Sequence, residues 1–256
     1  TRKTDYIYTL MEYMEGKTLN KFHVSEIKLY GYKNIFREIV NVFKYLTDIG
    51  FIFRDISLDN IMVDDRHWNE KITVKIIDLD LITSTHTVSG YIGHDLYMAP
   101  EIFESVTFDK LKQNIVFGEY DGMKTDVWAL GNILYYLLTG NYLLKDYTGK
   151  KPKYIENTKF RNYRNDITAK INTINSDLGK LGRLDIGIGE LVKKMLVIKP
   201  ENRFTMEEVY DTFNHIIELD KQIVLEMKNA KAECLQYKGE IDELVRRFDN
   251  SPDKRK

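Results

Sequence analysis

The residues best suited to chemistry lie in the run Phe53-Arg54-Asp55-Ile56-Ser57-Leu58-Asp59-Asn60-Ile61-Met62-Val63. Asp55 and Asn60 stand five apart, on a predicted loop between a helix and an apolar strand. A further carboxylate, Asp78, follows the apolar run Val74-Lys75-Ile76-Ile77. A carboxylate can orient a hydroxyl and take its proton, and oxygen donors suit a hard divalent cation. Taken alone, an aspartate on a loop is more often a cap or a solvated charge. The histidines offer no competing chemistry: His23, His67, His86 and His215 are scattered, without the spacing of a metal site. Thr85, Thr87 and Ser89 suit either a phosphorylated segment or a plain loop.

These residues need elements to hold them. Tyr6 to Tyr13 is rich in aromatic, β-branched and aliphatic residues, and Gly16 follows, which predicts a strand ending in a turn. Ile35, Phe36, Ile39, Val40, Phe43 and Leu46 mark one helical face, stopped by Gly50. Val74 to Ile77 is a short predicted strand, and the aperiodic stretch Thr83 to Gly93 a loop. The apolar run Val127 to Leu138 predicts a buried helix closed by Gly140. Tyr142 to Gly182 is polar and predicts loops with at most one helix, and Ile188 to Val197 predicts another. Thr205 and Glu208 have the spacing of a capping box, so a helix should start there.

With 256 residues, 43% hydrophobic and 30% charged, the chain can bury a core without disulfides or metal staples. Lys+Arg at 38 against Asp+Glu at 39 gives no support to a nucleic-acid partner or an anionic membrane surface. No apolar stretch approaches the roughly 18 residues of a membrane span. The single cysteine, Cys234, rules out an intramolecular disulfide and a Cys-rich zinc site, and fits a reducing, cytoplasmic setting.

The run from Phe53 to Val63 resembles the catalytic loop of protein kinases, H-R-D-L-x-x-x-N. Further segments follow in that family's order. Ile76-Ile77-Asp78-Leu79-Asp80 is similar to the D-F-G region, and Tyr97-Met98-Ala99-Pro100-Glu101 carries A-P-E. Asp126-Val127-Trp128-Ala129-Leu130-Gly131 looks like D-x-W-x-x-G, and Lys199-Pro200-Glu201-Asn202-Arg203-Phe204-Thr205 like the late P-x-x-R-x-T. The resemblance covers roughly Tyr6 to Ile217 and implies a mostly α fold with a few short strands. That fold is a protein-kinase-like C-terminal lobe, here followed by a long C-terminal helix.

The resemblance also implies roles. Asp55 matches the catalytic aspartate, Asn60 and Asp78 the Mg²⁺ ligands, and Arg54 the arginine that pairs with a phosphorylated activation loop. Glu101 and Arg203 match a buried ion pair, and Asp126 the residue that holds the catalytic-loop backbone. Met11-Glu12-Tyr13-Met14 looks like the hinge, with Met11 as gatekeeper, Glu12 and Met14 bonding the adenine through their backbone, and Met62 under the ring. The implied activity is ATP- and Mg²⁺-dependent phosphorylation of proteins, on Ser or Thr rather than Tyr.

Four departures cut against a plain reading. Phe53 replaces His or Tyr, chiefly a matter of packing. Ser57 stands where Ser/Thr kinases place a lysine on the γ-phosphate, Asp80 replaces the glycine of D-F-G, and His94 replaces a threonine. The last three leave open a pseudokinase or scaffold, or a phosphotransferase of small molecules. No G-x-G-x-x-G loop and no V-A-I-K lysine precede Met11, so the N-terminal lobe is expected to lie outside these residues, and the 256 residues alone to be inactive.

Three domain segments are expected: a kinase-like 1–217, a helix over 218–248 and a frayed tail over 249–256. Ile223, Met227, Ala230, Cys234, Tyr237, Ile241, Leu244 and Phe248 repeat at alternating fours and threes, a heptad seam. Its Ala, Cys and Tyr make a poor dimer core, so the seam is expected to pack on the kinase-like part or on a partner. Coiled-coil self-association is the alternative.

Overall fold

The computed structural model describes residues 10–67, 72–109, 114–144, 157–179, 182 and 185–249. Two compact units result, residues 1–213 and 214–256, and the division falls inside one helix. The first unit combines helices with a small antiparallel sheet of strands β1 (Lys17–Thr18), β2 (Ile61–Asp64) and β3 (Thr73–Ile76), in that order. Met62 of β2 sits opposite Thr18 on one side and Lys75 on the other.

Helix α1 (Val24–Tyr30) opens on a capping box, in which the His23 N–H donates to Glu26 Oε2 at 2.6 Å. Helix α2 (Tyr32–Asp48) buries the face read from the sequence, Ile35, Phe36, Ile39, Val40 and Phe43. Phe43 meets Phe53 edge-to-face with centroids 5.5 Å apart, so Phe53 serves packing. A short strand, β4 (Thr87–Ser89), pairs with β7 (Glu119–Asp121) inside the stretch expected to be loop. Helix α3 (Pro100–Glu104) precedes the hairpin β5 (Val106–Asp109) and β6 (Asn114–Phe117).

Helix α4 (Gly122–Thr139) is the centre of the core, with Val127, Trp128, Leu130, Ile133, Leu134 and Leu137 almost wholly inaccessible. It starts five residues before the predicted Val127, because Asp121 caps it by accepting from the N–H groups of Met123 and Lys124 at 2.9 and 3.3 Å. Helix α5 (Asn157–Leu178) fills part of the polar stretch, and α6 (Ile186–Met195) packs on α4. That approach needs Gly131, where a Cβ would fall 2.9 Å from the Cβ of Met195. Helix α7 (Met206–Asp249) starts at the predicted capping box: the Thr205 N–H donates to Glu208 Oε2 at 2.7 Å, and the Glu208 N–H returns to Thr205 Oγ1 at 3.3 Å.

Several expectations change. Thr1 to Thr9 lie outside the described residues, and Leu10 to Glu15 form no strand; the first strand begins after Gly16. Leu10 is fully exposed and Tyr13 85% exposed, so nothing described there supplies the partner that a strand requires. The two helices predicted around 205 and over 218–248 are one element, since no proline or turn separates them. Within the second unit taken by itself every residue from Lys221 to Arg247 is exposed, the heptad seam among them, which leaves open whether the kinase-like part or a partner covers it. The tail from Asn250 lies outside the described residues.

Candidate active site

The site hangs on β2 and β3. Asp55 precedes β2 through the single 3-10 turn Leu58–Asn60, and Asp78 follows β3. The hairpin between them brings the two ends together, and the Ile77 N–H donates to the Asn60 carbonyl at 2.9 Å. Asn60 Nδ2 donates at 2.9 Å to both the backbone carbonyl and the Oδ2 of Asp55. With its NH₂ thus engaged, Asn60 keeps its carbonyl oxygen as an acceptor. The three residues that the sequence singled out are therefore neighbours.

Burial raises the pKa of Asp55 above that of an ordinary aspartate. The Asn60 hydrogen bond and the charge of His94 oppose that rise, and the carboxylates of Asp78 and Asp59 add to it. Asp78 and Arg54 both adopt left-handed backbone conformations, at φ 63° and 69°. For residues other than glycine such conformations cost about 1–3 kcal/mol each and gather where function requires them.

Two devices hold the loop. The carboxylate of Asp126, on α4, accepts from the N–H groups of Phe53 and Arg54 at 2.7 and 2.9 Å. Burial pushes its pKa up to about 7, against the pull of those two donors. From the other side, Gly93 closes on the loop: a Cβ at that residue would stand 2.7 Å from the Arg54 carbonyl, and its φ is 114°. Only glycine fits both the conformation and the approach.

The segment after Asp78 is tied down as well. Arg54 Nε donates to the Leu81 carbonyl at 2.7 Å, and Ile52 and Thr83 exchange backbone hydrogen bonds at 2.8 and 2.9 Å. Beyond them Thr85, Thr87 and Ser89 are exposed. His94 packs edge-to-face on Tyr97 with centroids 5.2 Å apart. Ser57 is buried, at 1% exposure, so its hydroxyl does not stand on the open face of the site.

The hinge candidates are less gathered. Met11 is 69% exposed, Glu12 is exposed, and Met14 and Met62 are half-buried. The Glu12 carboxylate pairs with Lys75 and that of Glu15 with Arg66, which tethers this stretch to the β2–β3 hairpin. Sequence reasoning missed the contact of Asn20 with Asp59, which links the turn after β1 to the loop that carries Asp55. It also missed the Leu81 carbonyl, because a backbone acceptor leaves no trace in residue type.

Below the site, Glu101 and Arg203 form the expected pair. Nη1 and Nη2 of Arg203 donate to the two carboxylate oxygens at 2.6 and 2.9 Å. Arg203 also donates to the carbonyls of Val197, Lys124 and Ile198, and its guanidinium lies 5.0 Å from the centre of the Trp128 ring.

Residues 1–213 match the family model of the protein kinase domain. The chain belongs to the protein kinase family. Among the curated relatives of this kinase is a putative serine/threonine-protein kinase of Acanthamoeba polyphaga mimivirus, 29% identical over 203 residues, which are 77% of this chain and 61% of that protein. CBL-interacting serine/threonine-protein kinase 19 of Arabidopsis thaliana is 25% identical over 231 residues, 85% of this chain and 41% of the relative. Sperm motility kinase 2A of Mus musculus is 28% identical over 215 residues, 79% of this chain and 34% of the relative. The chain thus spans less than two thirds of the length of these relatives. Among the described residues no helix is long and apolar enough to cross a membrane.

Proposed function

We propose that residues 10–217 form the C-terminal lobe of a kinase that transfers the γ-phosphate of ATP to serine or threonine hydroxyls of protein substrates. The observation that carries this reading is the meeting of Asp55, Asn60 and Asp78 at the ends of one hairpin. Asp55, with its raised pKa, orients the acceptor hydroxyl and takes its proton. The donor set fits Mg²⁺: the Asn60 carbonyl oxygen and the Asp78 carboxylate are hard oxygen ligands that flank Asp55. When bound, Mg²⁺ supplies positive charge to the phosphates. Met11, Glu12, Met14 and Met62 are the candidates for the adenine. Arg54 couples the loop to the segment that carries Thr85, Thr87 and Ser89. Serine and threonine specificity is supported by the names of the relatives.

A second reading, a binding module without catalysis, is favoured by Ser57 and Asp80. Ser57 brings no cation to the γ-phosphate, which weakens the stabilisation of transition-state charge. The test is phosphate transfer from labelled ATP to mixed protein acceptors, followed by phosphoamino-acid analysis. It is run on the 256 residues and on the same chain joined to whatever its gene encodes ahead of Thr1. Phosphoserine and phosphothreonine should form with Mg²⁺ and vanish with a chelator or with Asp78→Asn. If neither form transfers phosphate with Mg²⁺, the catalytic reading falls and the binding module stands. Transfer to tyrosine alone would overturn the assigned acceptor.

A further inference from the structure

Within the second unit, α7 carries an apolar stripe that no residue of that unit covers. From Lys221 to Arg247 each residue is exposed, over a length of about 40 Å at the α-helical rise. Along it Ile223, Met227, Tyr237, Ile241 and Leu244 are between 42% and 65% exposed. A stretch of helix with an uncovered apolar stripe draws little support from propensity alone, so burying that stripe is the stabilisation open to it.

The flanking charges say what covers it. With Met227, Cys234 and Ile241 at heptad position a, and Ile223, Ala230, Tyr237 and Leu244 at d, position g holds Glu226, Glu233, Glu240 and Arg247. Position e holds Lys231 and Lys238 between Val224 and Val245. When two identical helices run parallel and in register, g of one faces the e position five residues later in the other. Glu226 then meets Lys231 of the second copy and Glu233 meets Lys238, and symmetry repeats both pairs. An antiparallel pair instead sets g against g and e against e, placing Glu233 by Glu240 and Lys231 by Lys238. The one favourable contact left, Glu226 with Arg247, competes with the bond Arg247 already makes to Glu243 of its own helix, at 2.5 Å. Among the described residues, ion pairs on this stretch of α7 use Lys221 with Glu218 and Arg247 with Glu243, and none uses Glu226, Lys231, Glu233 or Lys238.

We propose that residues 221–247 bind the same helix of a second copy of this chain as a parallel, in-register, two-stranded coiled coil. The small and polar residues in the seam, Ala230, Cys234 and Tyr237, make it a modest dimer that dissociates on dilution. The e and g charges then set its direction and partner. The inference rests on α7 alone and does not depend on catalysis.

The experiment is sedimentation of the full chain over a wide range of concentrations, with circular dichroism to follow helix content. The parent should shift from monomer to dimer as concentration rises. Lys231→Glu with Lys238→Glu makes both charge pairs acidic, and Glu226→Lys with Glu233→Lys makes both basic. Either double variant should weaken the dimer by about tenfold or more. An equal mixture of the two should restore it, since opposite charges then face each other. A parent that stays monomeric at every concentration overturns the proposal. So does a dimer that ignores both double variants, as an antiparallel pair would ignore Lys231→Glu with Lys238→Glu. A mixture that associates no better than either variant alone also overturns it.

Discussion

A half-buried carboxylate needs donors, and Asp126 finds them in the backbone of the loop it supports. Both oxygens are engaged, so a side-chain amide cannot replace it without loss. Asp126→Asn turns one acceptor into a donor and leaves the N–H of Phe53 or Arg54 without a partner. The expected cost is about 1–3 kcal/mol in denaturant unfolding, the usual penalty for an orphaned polar group. That cost should depend on pH. The folded pKa of Asp126 is raised to about 7, above the unfolded aspartate value near ~3.9. A raised pKa means that the folded chain holds the proton more tightly. The stability this gives is full below the unfolded value and is lost as pH rises through about 7. Asparagine does not titrate, so the advantage of the parent over Asp126→Asn should shrink from mildly acidic to neutral pH. An advantage that grows with pH would mean that the two N–H donors hold the carboxylate ionised. Residue type and spacing made Asp55, Asn60, Asp78 and Asp126 legible. They did not reveal the left-handed backbone at Arg54 and Asp78, because either residue adopts ordinary conformations elsewhere.

Arg203 joins three elements, since it binds Glu101 of α3, the Lys124 carbonyl of α4 and the turn at Val197 and Ile198 after α6. Removing one member of a buried pair strands the other. Arg203→Met should therefore destabilise the chain by about 3–5 kcal/mol. Glu101→Met together with Arg203→Met should cost less than the sum of the two singles, because no charge is then left buried alone. Additive costs would show that the two side chains act separately. The elements that could be read in advance were those with strong periodicity or a cap, as in α2, α4 and the start of α7. The hairpin β5–β6 was not read. All four residues of β6 are exposed, so it lacks the one-sided alternation that marks a strand against a core. Of the strand expected over Tyr6 to Tyr13 only Leu10 to Tyr13 are described, and these form no strand, since apolar composition cannot say whether a partner strand is present.

At the scale of the molecule, the order of the motifs along the chain identified the family, and the match over residues 1–213 agrees with that order. The exposure of the α7 seam could not be read, because a heptad pattern gives the same sequence whether it is covered by its own chain, by another or by neither. The proposal that phosphoryl transfer occurs here, with Asp55 as base, rests on the hairpin that brings Asp55 and Asn60 beside Asp78. It is tested most directly by the rate of phosphate transfer to a generic Ser/Thr acceptor, parent against Asp55→Asn, in the full protein that the gene encodes. Asn keeps the shape of Asp and cannot take the proton. The rate should fall by about two to four orders of magnitude while the melting temperature stays within a few degrees of the parent. An unchanged rate in a folded Asp55→Asn protein would contradict the assignment and place the base elsewhere.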